Sequence, residues 1–191
     1  MSKIRYLFWI VYTQPLYIIW LTIILVIVFW AFLMIILQKY SKIMKVLNGT
    51  LWVGCSLAII FNTLLTRNGT VSQIKLLPFY SFKEAIEYPE MYRAMVMNIF
   101  LFIPFGLTLP YVLPEKIKKM GVFTCSIAAV FSLVIELFQL FFCLGRCEID
   151  DIIMNTVGAL VGVVSYFIYK WMIGTIGVGK LILGKKGKEN D

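Results

Sequence analysis

Histidine is absent from the 191-residue sequence. That removes a Ser-His-Asp triad, an imidazole general base and any His-ligated zinc site. Acid is scarce too: 10 Asp and Glu stand against 18 Lys and Arg, and charged residues make up only 15% of the chain. So little charge cannot coat a soluble domain of this length. The four cysteines, Cys55, Cys125, Cys143 and Cys147, show no CxxC spacing. Cys55 and Cys125 read as small apolar fillers. Cys143 and Cys147, four apart, read as a chance pair, with a mutual bond or a shared metal as the alternative. Internal repeats, soluble domains and low-complexity segments are missing as well.

What remains is hydrocarbon. Hydrophobic residues make up 61% of the chain, and the mean hydropathy is +0.88. Crossing a bilayer takes roughly 20 apolar residues as a helix. Five runs near 15–37, 46–66, 96–113, 120–144 and 152–173 meet that need. The expected fold is therefore all-α, a polytopic integral membrane helical bundle. Residues 1–14, "IRYLFWIVYT" included, read as an interfacial segment, 15–173 as the transmembrane domain and 174–191 as a basic cytoplasmic tail. The run after Lys3 and Arg5 is too long for a signal-peptide core, so the first helix is expected to be retained. The 67–95 stretch is too long for a bare connector, and reads as an interfacial or re-entrant element or as a solvated loop.

The net charge of +8 follows the connections. Lys39, Lys42 and Lys45 join the first two runs, Lys116, Lys118 and Lys119 the third and fourth, and Lys180, Lys185, Lys186 and Lys188 fill the tail. By the positive-inside rule these belong in the cytoplasm, which places the carboxyl terminus inside and the amino terminus outside, against Lys3 and Arg5. No nucleic-acid reader motif accompanies the basic residues. "GTIGVGKL" (174–181) mimics a nucleotide loop, but Leu181 replaces the required hydroxyl and no strand precedes it. The sequons at 48–50 and 68–70 carry little weight.

Polar side chains in such runs are costly and usually face the bundle interior. Glu136 and Gln139 share a helix face; Asp151, Asn155, Gly158 and Gly162 form a stripe; Asn98 opens the third run. Gly158 and Gly162 read as a packing seam, and Pro104 with Gly106 as a bend or break in the third helix. A lone buried Glu136 needs a partner, for which Arg146 is the first candidate, with Arg67 and Arg93 as others. "GRCEIDD" (145–151) adds Glu148, Asp150 and Asp151 where a helix amino end favours acid.

These residues carry a resemblance. "NIFLFIPFG" (98–106), "IELFQ" (135–139) and "GRCEIDDIIMNTVGALVG" (145–162) together resemble the VanZ family of bacterial membrane proteins, over roughly residues 46–170. The resemblance implies an association with resistance to teicoplanin, a glycopeptide. Recurring polar positions of the family fall on Asn98, Pro104, Gly106, Glu136, Gln139, Arg146, Asp151 and Asn155, with Arg67 as a further match. The gap between Arg146 and the acid pair is shorter than the family's usual form, so either Glu148 or Asp150 takes the customary acidic place. No shared reaction, catalytic residue, cofactor or metal is implied.

The expectation is a resistance or cell-envelope factor whose pocket, built from Asn98, Glu136, Gln139, Arg146, Asp150, Asp151 and Asn155, faces the outer leaflet. Its partners would be the bilayer and a cell-wall lipid precursor or a lipoglycopeptide; nucleic acid is excluded and the oligomeric state is left open. The alternative is an intramembrane enzyme in which Glu148, Asp150 and Asp151 hold Mg²⁺ over a phosphate-bearing lipid and Glu136 serves as acid or base. A transporter is disfavoured, since the chain lacks repeat symmetry.

Overall fold

A computed structural model describes residues 15–65 and 73–176 of the chain. Five of its helices are long and apolar enough to cross a membrane. They are α1 (Leu16–Leu37), α2 (Ser41–Ile60), α4 (Pro89–Val112), α5 (Met120–Phe141) and α6 (Ile149–Ile176). A short helix α3 (Tyr80–Glu87) and two three-residue strands, β1 (Gln73–Lys75) and β2 (Arg146–Glu148), lie between them. The amino-terminal segment, Arg67, the second sequon and most of the basic tail fall outside the described residues.

Hydrocarbon offers the backbone no hydrogen-bond partner, so long apolar runs close their bonds internally as helices. Burial then sorts them. The apolar window of α4 is 67% buried within the protein, that of α1 only 22%. Accordingly α4 is the central post and α1 a peripheral one. Phe102, Phe105 and Leu109 of α4 pack with Ile59 of α2, Ala128 and Ile135 of α5 and Ala159 of α6. The Phe105 ring stacks on Phe131 of α5, with centroids 5.4 Å apart.

The closest approach is between α4 and α6, which run side by side from the same end of the bundle. A Cβ added at Gly158 would collide with the Ile99 carbonyl, one at Gly162 with that of Ile103, and one at Gly106 with the backbone of Ala159. Small residues let the backbones meet there, the usual solution where lipid offers no hydrophobic drive to association.

The third run is longer than expected. Pro104 and Pro110 lie inside one continuous helix, so α4 is neither broken nor ended there. Each proline removes one N–H, and the packed neighbours hold the helix on both sides of the gaps. The Thr108 hydroxyl donates to the Pro104 carbonyl at 2.7 Å. The helix also begins earlier than the apolar run, because Pro89 at its first turn suits a helix start and Glu90 favours the positive dipole end.

Asn48 has a structural role. It is buried inside α2, accepts from the Trp30 indole at 3.0 Å and donates to the Met44 carbonyl at 2.8 Å. The 48–50 sequon is therefore a polar tie between α1 and α2.

Candidate functional site

The carboxyl end of α5 sets up the site. Cys143 (φ 52°) and Gly145 (φ 153°) adopt left-handed backbone conformations, and the chain reverses sharply into β2. Glycine reaches such angles without a Cβ clash. The parallel strand β1 then pairs β2, with Gln73, Ile74 and Lys75 opposite Arg146, Cys147 and Glu148. This pairing draws the 73–87 segment over the start of α6.

Each acid of "GRCEIDD" is thereby given a separate task. Asp150, buried, accepts from the backbone N–H groups of Phe79 at 2.6 Å and Ser81 at 2.7 Å. It caps α3 from a distant part of the chain, replacing the local cap that Phe79 cannot supply. Glu148 accepts from the Ser81 hydroxyl at 3.1 Å. Asp151 accepts from the Asn98 amide at 2.7 Å, tying the head of α6 to α4. The earlier glutamate, Glu136, accepts from the Glu148 N–H at 3.0 Å. One helical turn along α6, Asn155 donates to the Ser132 hydroxyl of α5 at 2.7 Å. Gln139 donates to the Thr63 carbonyl at 3.0 Å, in the π-turn Phe61–Leu65 that ends α2.

Cations stand at the rim. Lys75 pairs with Glu84 at 2.5 Å and reaches Glu148 at 4.0 Å, while its ammonium sits 4.9 Å from the Tyr80 ring centroid. The half-exposed Arg146 guanidinium lies 3.9 Å from both Glu84 and Glu148. These are ion pairs beyond hydrogen-bond length, and the Glu84 Oε2 they involve has no hydrogen-bond partner. Arg146 thus turns to Glu84 and Glu148 rather than to Glu136. Cys147 is buried beside them. Its thiol pKa is raised, first by desolvation and then by Glu136, Asp151 and Glu148; Cys143, by contrast, is exposed, and both are free thiols.

The three acids proposed to share Mg²⁺ do not converge. Asp150 is turned to two backbone donors, Glu148 to Ser81 and Asp151 to Asn98. Among the described residues no three Cys, Asp or Glu side chains are grouped to hold a metal ion. Glu148 and Asp150 are both buried and both hydrogen-bonded to the α3 segment.

Sequence reasoning overlooked Lys75, Ser81, Glu84 and Ser132. One signal was available for Ser132: Thr124, Ala128, Ser132 and Glu136 recur every four residues along α5 and are all buried. That small and polar stripe marks the face turned to its neighbours. For Lys75, Ser81 and Glu84 nothing local signals the role, because strand pairing across more than 70 residues creates it.

Long apolar helices joined at one end by buried polar side chains define a multi-pass helical membrane protein. The VanZ/LLP1 family profile matches residues 61–170, more than half of the 191 residues, and the chain belongs to that family. It is similar to Protein VanZ of Enterococcus faecium, with 37% identity over 76 residues. That match covers 39% of this chain and 45% of the relative, so it spans less than half the relative's length. No solved structure matches significantly.

Proposed function

We propose that the protein is a non-enzymatic envelope factor contributing to glycopeptide resistance, teicoplanin above all, and that it acts through the rim of the polar end at the outer leaflet. The observation that carries this reading is the division of labour among the charges. Buried carboxylates spend their lone pairs on protein donors, as structural members do. Arg146 is half-exposed and held only by 3.9 Å ion pairs, which leaves its fork able to exchange partners. A guanidinium placed this way suits the phosphate of a lipid-linked cell-wall precursor.

Orientation belongs to the same proposal. The lysine-rich connections point to a cytoplasmic location for the opposite end, which puts Arg146 where wall precursors are displayed. Expression in a susceptible Gram-positive host tests it: the inhibitory concentration of teicoplanin should rise more than that of vancomycin. No rise for either drug, with the protein present in membranes, would count against it.

A further inference from the structure

The far end of the bundle holds a cavity of about 200 Å³, and its lining differs in kind from the polar end. It lies where α1, α2, α4 and α6 reach the lysine-rich side, and Gln38, Lys45, Tyr111, Tyr166, Tyr169 and Lys170 contribute to its wall. Three of its polar atoms, Gln38 Oε1 and the Tyr111 and Tyr169 hydroxyls, are buried; Gln38 Oε1 has no hydrogen-bond partner, and the two hydroxyls face each other without a well-formed hydrogen bond. Tyr169 is only 4% exposed. Its ring and that of Tyr111 pack edge-on against Trp30, at 5.3 and 5.9 Å between centroids. The hydroxyls are thus fixed in place by their rings.

Native proteins seldom leave buried hydroxyls unsatisfied, because desolvation without a partner is unfavourable. Two facing hydroxyls can spend only one proton on each other, so one donor is left over; with an orphaned acceptor and two lysines, the set asks for an anion that also offers a hydroxyl. Lys170 lies 5.9 Å from the Tyr166 ring centroid. Lys45 pairs with Glu115 at 3.0 Å at the exposed mouth, a contact an entering anion would share or displace. At the level where membrane helices end, headgroups are the abundant oxyanions, and basic pockets between such helices recognise them.

We propose that this cavity binds the headgroup of an anionic glycerophospholipid. The phosphodiester accepts from Tyr111, Tyr169, Lys45 and Lys170, and a headgroup hydroxyl donates to Gln38. No bond is made or broken. The site lies at the opposite end of the bundle from the Arg146 rim and needs nothing from the proposal made for it.

The full-length protein purified in neutral detergent should bind dihexanoyl-phosphatidylglycerol saturably, observed by native mass spectrometry. Dihexanoyl-phosphatidylcholine, which keeps the phosphodiester but adds a cation repelled by the lysines and lacks the headgroup hydroxyl, should bind about tenfold more weakly. A Lys45→Gln/Lys170→Gln double variant should lose the preference. Tyr111→Phe/Tyr169→Phe, which keeps both rings and so the packing, should weaken the binding of both lipids, since both carry the phosphodiester. Equal binding of the two lipids by wild type, or undiminished phosphatidylglycerol binding by the tyrosine variant, would overturn the proposal. Inorganic phosphate competing as strongly as the lipid would overturn the headgroup assignment in favour of a free oxyanion.

Discussion

The two ends of the bundle handle polar groups in opposite ways. At one, Asp150, Asp151 and Glu136 accept from donors of other elements and Asn155 donates to the Ser132 hydroxyl, so α3, α4, α5, β2 and α6 are laced together. At the other, a glutamine carbonyl is buried without a partner and two tyrosine hydroxyls are buried facing only each other. The difference teaches that burial of polar atoms has two meanings in a membrane protein. A satisfied network is scaffold, and its functional groups are the few left loose at the edge. An unsatisfied set points to an occupant.

Both ends depend on the α4–α6 seam staying closed, so the largest effect is expected there. Gly158→Leu drives a side chain into the Ile99 carbonyl, and overpacking of this kind destabilises by about 3 kcal/mol or more. A fluorescent fusion should show loss of monodisperse protein from detergent extracts. Next comes Asp150→Ala, which strips the Phe79 and Ser81 N–H groups of their acceptor at a cost of roughly 1–3 kcal/mol. Hydrogen exchange should accelerate over α3 while the core of α4 stays protected. Acceleration spread evenly over the chain would break the comparison, since the damage should stay at one end.

A smaller effect is expected from the single tie between Asn98 and Asp151. A double-mutant cycle with Asn98→Ala and Asp151→Ala should give a coupling of about 1 kcal/mol, in the range of interhelical hydrogen bonds in membranes. Little change is the expectation for Tyr111→Phe/Tyr169→Phe unfolding in lipid-free detergent, because only the poorly formed contact between the two hydroxyls is lost. A large destabilisation there would mean the hydroxyls are well bonded after all. Thiol chemistry sharpens the contrast further. Cys143 should react with maleimide promptly, whereas Cys147, buried and with its pKa raised by desolvation and three carboxylates, should react slowly at neutral pH.

Much of this was legible in the residues. Apolar runs without charge fold as helices in lipid whatever surrounds them, so their number and the oddity of Glu136 in "VIELFQLFF" could be read directly. Asn98, Asp151 and Asn155 stood out because amides and acids rarely enter such runs. What could not be read arises from contact between distant segments. Three-residue strands carry no periodicity, and the cap that Asp150 provides for α3 exists only once β1 has found β2. The start of α4 was hidden because Glu90, Tyr92 and Arg93 interrupt hydropathy while forming good helical turns. At Pro104 the residues left a bend and a break both open, because its cost is local and the packing that holds the helix continuous is not.

The central claim is that the polar end is a scaffold presenting Arg146 to a ligand outside the cell. Its most direct test is the teicoplanin inhibitory concentration in a susceptible host expressing Arg146→Ala, with membrane abundance checked against wild type. The account predicts protein at wild-type levels and protection lost. Full protection by Arg146→Ala would contradict it.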